Sequence, residues 1–206
     1  SVETSCAPRI ATSELGFEDV TRMLFASLAD ALPPDRAGGA RGVLGELLYF
    51  VDGSVRCAAG HRLHAVVTRA LSERRPVIIV AYSLGALVSY DYLRARTSDR
   101  GGIHLITAGS PLGGREFREL LFGVGAAIPE RPAGVASWVN LYDPDDPFAA
   151  PLSNPAAAID RRTESAYGGS PHFHGRYLRD PAMGKALARA LCDSAPGTFG
   201  SGCREM

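Results

Sequence analysis

An α/β fold, with a mostly parallel sheet flanked by helices, is what this sequence predicts. Two observations carry that expectation. Short apolar runs of strand length alternate with longer segments of helical period, and the run Val77-Ile78-Ile79-Val80 passes almost directly into an apolar helix. Strands that alternate with helices pair in parallel through crossover connections, and in such sheets chemistry gathers at the carboxyl ends of the strands. The chain of 206 residues, 46% of them hydrophobic, is long enough for one domain with a real core. It reads as a helical amino-terminal part over 1–59, a core over 60–191 and a tail over 192–206.

The elements follow in order. Phe17, Val20, Leu24, Leu28 and Leu32 recur at three- and four-residue steps, which predicts a helix over Gly16–Leu32, stopped by Pro33-Pro34. A loop rich in Gly and Arg follows. Leu44, Leu47, Leu48 and Val51 favour a second helix, although LLYFV also fits a strand. A further helix is expected over His61–Leu71, ending before Pro76. Then come the strand that ends near Ala81 and a helix with Leu84, Leu87, Val88 and Tyr92 at helical spacing. Ile103–Thr107 and Ser137–Tyr142 read as strands, with a short helix over Glu116–Phe122 between them. Pro181–Cys192 reads as the last helix, with Pro181 in its first turn. No repeat is visible, and the one biased stretch is the Ala/Pro-rich loop from Pro151 to Ala158.

Formal net charge is zero, so nothing in the totals points to nucleic acid or an anionic membrane as partner. No apolar run approaches the roughly 18 residues of a membrane span. The opening SVETSCAPRI has neither the basic region nor the apolar core of an intact signal peptide and does not start with Met, which points to processing or truncation. Cys192 and Cys203 flank a Pro/Gly-containing tail that a disulfide would close; reduced thiols are the equal alternative. The cysteine spacings do not match a zinc site, and no metal or cofactor is expected.

The residues just past the strands are the ones to inspect. Past the first lies Ala81-Tyr82-Ser83-Leu84-Gly85. A sharp strand-to-helix turn forces its serine into a strained backbone and lifts the hydroxyl clear of the sheet, with the small residues Ala81 and Gly85 expected to avoid collision. The N–H of Leu84 then points toward a developing oxyanion. The competing reading is a serine that caps the helix. Past the third strand, DPDDPF offers carboxylates that could hold a catalytic base in one tautomer. Asp146 is preferred because Phe148 can anchor its loop; Asp143 is the rival, and both acids also suit an ordinary turn. A calcium site there is disfavoured by the two prolines. Further on, SPHFHGRYL places two histidines before the last helix. His174 is preferred as base because Gly175 allows a tight loop, with His172 the alternative on the same face. His61, His64 and His104 read as structural.

Serine, then an aspartate after a later strand, then a histidine before the last helix is a chain order that resembles the α/β-hydrolase superfamily. The motifs AYSLG, DPDDPF and HFHGRYL carry the resemblance, and ITAGSPLGG (Ile106–Gly114) is similar to the loop that follows the neighbouring strand in lipase- and esterase-like members. It covers roughly Gly60–Leu191. The resemblance implies that Ser83 attacks a carbonyl, His174 moves the proton and Asp146 orients His174, with Leu84 giving one oxyanion donor. It implies a small-molecule or lipid ester as substrate, for which Tyr82, Leu112 and Phe148 are the candidate binding residues, Leu112 and Phe148 being equally suited to the core. Family members carry an early strand ending in His-Gly, and no such motif precedes Ser83. The sheet is therefore expected to lack its first strands here, with an upstream polypeptide segment as the partner that completes it, or with Leu48–Val51 used in their place. A catalytically degenerate interaction domain is the other reading.

Overall fold

The computed structural model describes residues 49, 52–96, 102–123, 125–163, 172, 174–195 and 203. The helix expected over Gly16–Leu32 lies outside them, and of the segment Leu44–Val51 only Tyr49 is described, helical and buried.

Helix α1 (Gly53–Ser72) starts eight residues before its expected beginning at His61. The start signal is Asp52, whose carboxylate accepts from the Ser54 N–H at 2.8 Å and from the Ser54 hydroxyl at 2.6 Å and so satisfies a free amide of the first turn. Val67 is buried, with Ala59, Leu63, Ala70 and Leu71 packed beside it on one stripe. Strand β1 (Val77–Tyr82) leads through Ser83 into helix α2 (Leu84–Ala95). Strand β2 (Ile103–Ala108) is buried along its whole length, as a parallel strand covered on both faces should be. A single 3-10 turn (Pro111–Gly113) and helix α3 (Arg115–Phe122) lead to strand β3 (Val135–Tyr142). Strand β4 (Ile159–Arg162), helix α4 (His174–Arg179) and helix α5 (Pro181–Ser194) complete the described chain.

The four strands form one all-parallel sheet in the order β1-β2-β3-β4. Helices cover both faces. Ile103, Leu105 and Trp138 turn to the face packed by α1 and α2, and Ile106, Ala108, Val139 and Leu141 to the face packed by α4 and α5, the period-two alternation of a pleated strand. Val135 and Trp138 share a face despite their odd spacing. The register shift between Ile103 and His104, where β3 carries the extra residue Ala136, accounts for it.

A buried polar chain ties the later strands together. The Trp138 indole N–H donates to the Thr107 hydroxyl at 2.9 Å, which donates to the Asn140 side-chain carbonyl at 2.8 Å. The Asn140 amide donates to Asp160 Oδ1 at 2.8 Å and to the Ala150 carbonyl at 3.2 Å. Asp160 also accepts from the N–H groups of Leu152 and Ser153, so it pins the loop that runs from β3 to β4. Cys192, on α5, and Cys203 are joined by a disulfide, and Cys57 is disulfide-bonded.

Candidate active site

Ser83 occupies the turn between β1 and α2 with φ 51° and ψ −124°, a region that favours glycine. Its own N–H donates to the carbonyl of Ala108 on β2 at 3.0 Å, and its carbonyl accepts from Ala86 at 2.9 Å. Both bonds hold the strained turn in place. The hydroxyl makes no capping bond to α2, which removes the capping reading. Instead Ser83 Oγ lies 2.9 Å from His172 Nε2.

The imidazole that meets Ser83 thus belongs to His172, and the preference for His174 is corrected. His174 is the first residue of α4 and exposed, its ring edge-on to Tyr82 at 6.2 Å between centroids. His172 lies before that helix, and its backbone carbonyl accepts a hydrogen bond from the Tyr82 hydroxyl. Its ring lies tilted against Tyr82 at 5.1 Å and against Phe148 at 4.5 Å between centroids.

On its far side His172 Nδ1 lies 2.9 Å from both carboxylate oxygens of Asp146. A carboxylate only accepts, so the neutral imidazole carries its proton on Nδ1 and leaves Nε2 as acceptor for the serine hydroxyl. Asp146 Oδ1 also accepts from the Phe148 N–H at 2.9 Å, and Oδ2 from the Tyr177 hydroxyl at 2.6 Å. Burial alone pushes this carboxyl up. The bond and charge of His172, the Tyr177 hydroxyl and the Phe148 N–H outweigh burial and hold Asp146 below the ordinary carboxylate range. Asp143 stands apart, its Oδ2 at 2.8 Å from an Arg176 guanidinium nitrogen and its Oδ1 accepting from the Asp145 N–H.

The remaining expected residues sort as follows. Leu84 opens α2, so helix geometry leaves its N–H without an intrahelical acceptor. Tyr82 and Phe148 flank the imidazole, and Phe148 is 7% exposed. Leu112 is fully buried in the core under α2 and is corrected from binding residue to packing residue. The steric reason given for Gly85 is corrected as well, because a Cβ there meets no described atom within 4 Å.

Three residues escaped the sequence reading as parts of the site, Tyr177 having been taken only as an anchor of the histidine loop. Tyr177 and Arg176 sit in HFHGRYL, a segment read as loop, and only helix α4 shows that consecutive residues reach the two ends of the DPDD turn. The third, Gly109, follows β2 with φ 57°, and a Cβ there would press on Tyr82 at 3.0 Å, Tyr177 at 3.1 Å and Asp146 at 3.4 Å. Its place in AGSP was its one signal, and that segment was read only as a loop.

Among the described residues no group of three or more His, Cys, Asp or Glu is placed to share a metal ion, and no helix is long and apolar enough to cross a membrane. No family model, curated protein or solved structure matches this chain.

Proposed function

We propose that this chain is a serine hydrolase of the α/β-hydrolase type that cleaves a carboxylic ester through an acyl-enzyme. One observation carries the reading: the unbroken relay from Ser83 Oγ through His172 to Asp146, each contact 2.9 Å long. That arrangement suits nucleophilic attack followed by proton return.

In this reading Ser83 Oγ attacks the ester carbonyl carbon while its proton passes to His172 Nε2. Asp146 stabilises the resulting imidazolium, and the Leu84 N–H donates to the oxyanion. The carbon–alkoxy bond then breaks, and His172 returns the proton to the departing alkoxide. A water molecule gives its proton to His172 and attacks the acyl carbon. The bond to Ser83 Oγ breaks, and the proton returns to the serine. The substrate is a small-molecule or lipid ester, and an upstream polypeptide segment completing the sheet beside β1 is the proposed partner. A thioester would use the same groups.

A degenerate interaction domain is the second reading, and one observation favours it. Among the described residues β1 has a strand on one side only, so none of them provides the second oxyanion donor that a loop beside β1 would supply. A fluorophosphonate probe separates the two. Labelling of the wild type that disappears in Ser83→Ala and falls sharply in His172→Ala supports the hydrolase. Absence of labelling in a folded wild type supports the interaction domain.

A further inference from the structure

We propose that Tyr177 is a positioning residue of this site, which fixes the carboxylate of Asp146 and through it the proton on His172. The inference rests on the hydrolase reading for its kinetic consequence, but not for its structural one.

The argument starts from the proton count of a phenol. The Tyr177 hydroxyl has one proton and accepts one hydrogen bond, from the Asp143 backbone N–H at 3.2 Å. With that lone pair engaged, its single proton is committed to Asp146 Oδ2 at 2.6 Å. The ring is fully buried beside Tyr82, in one cluster with Leu141 of β3 and Met183 of α5, so close packing holds it in a single rotamer. Tyr177 is thus a donor of fixed direction.

That direction matters because the Asp146 side chain has no exposure to solvent. It has three donors: the Phe148 N–H on Oδ1, Tyr177 on Oδ2, and His172 Nδ1 placed equally between the two oxygens. The first two come from the backbone and from a rigid ring, so they set the plane of the carboxylate before His172 meets it. The adjacent residue on α4, Arg176, reaches Asp143 at the start of the same turn. Helix α4 therefore grips the turn at both ends, and the grip on the reacting end is Tyr177. Hydrogen bonding from the phenol also draws charge from the carboxylate, which limits how strongly it pulls on the His172 proton.

The test reads that pull directly. In Tyr177→Phe the Nδ1–H proton of His172, assigned by its loss in His172→Gln, is expected to move downfield in the proton NMR spectrum. With 3-fluorotyrosine at position 177, a stronger donor of nearly the same shape that keeps the fold, the resonance is expected to move upfield. Opposite displacements support the inference, and a resonance unmoved by both overturns it. A tyrosine that only fills space would leave the fluorinated protein unchanged. The second readout is ester kinetics. Tyr177→Phe is expected to lower kcat about tenfold with KM little changed, the size of one lost hydrogen bond. Opposite displacements in a protein with no esterase activity would sink the hydrolase reading and leave the positioning role standing. Wild-type kcat together with a fixed resonance would do the reverse.

Discussion

The imidazole of His172 is held on four sides: Asp146 below, Ser83 above, and the rings of Phe148 and Tyr82 on its flanks. His174, two residues on, is exposed at the start of α4 with its ring edge-on to Tyr82. His172→Ala is expected to lower kcat/KM toward an ester about 10³- to 10⁴-fold, and His174→Ala by no more than about threefold. Steady-state kinetics on the two variants decide, and equal losses would return the base to an open question. Ser83 was legible in the sequence because strand, turn and helix are contiguous there and leave one place for the hydroxyl. The choice of histidine was not legible from HFHGRYL. Both imidazoles suit an extended segment, and what separates them is where α4 begins and a bond from Tyr82, some ninety residues away, to the His172 carbonyl. Asp146 was reached for a reason that survives in part, since Phe148 does anchor the loop, though it does so against the imidazole.

Between elements, the chain Trp138–Thr107–Asn140–Asp160 ties the stretch from Ala150 to Ser153, which follows Asp146, to the sheet. Every polar atom used in it finds a partner, and the chain ends on the N–H groups of Leu152 and Ser153. Thr107→Val keeps the shape and removes the hydroxyl, leaving the Trp138 indole N–H and the Asn140 carbonyl unpaired in the core. The expected loss is about 1–3 kcal/mol in a urea titration, and a change below about 0.5 kcal/mol would show that these bonds contribute little to stability. Strands β1, β2 and β3 were readable because each is a short segment rich in β-branched, aromatic and other apolar residues, too short for a helix. Strand β4, Ile159–Arg162, was not. Its sequence IDRR is short and polar, and it is a strand because β3 pairs with it and Asn140 reaches Asp160 across the ladder. Helix α4 was missed for a similar reason: at six residues it is too short to show a period.

At the scale of the whole molecule the sheet has two unlike poles. The carboxyl ends of the strands carry Ser83 and Asp146. The opposite pole holds a cavity of about 850 Å³ bordered by Arg74, Arg96, His104 and Ser137. His104 is 3% exposed and lies 2.7 Å from the Ser137 hydroxyl. Burial pushes its imidazole below the ordinary value of 6.5, a depression that Asp193 opposes. The unfolded chain therefore takes up this proton first. The stability contributed by neutral His104 is complete above about pH 6.5 and is lost as pH falls toward the folded value. Thermal melts between pH 8 and 5 are expected to show that decline, and His104→Asn to flatten it; parallel slopes would place its origin elsewhere. What covers the outer edge of β1 was not legible, because the sequence pattern of VIIVAY states only that both faces want burial and names no neighbour. Finally, the left-handed backbone at Ser83 inverts an ordinary rule. Alanine normally outranks glycine for stability, yet at φ 51° Ser83→Gly is expected to melt higher than Ser83→Ala, by about 1 kcal/mol. The oxygen at this spot is thus held at a thermal disadvantage to bare glycine.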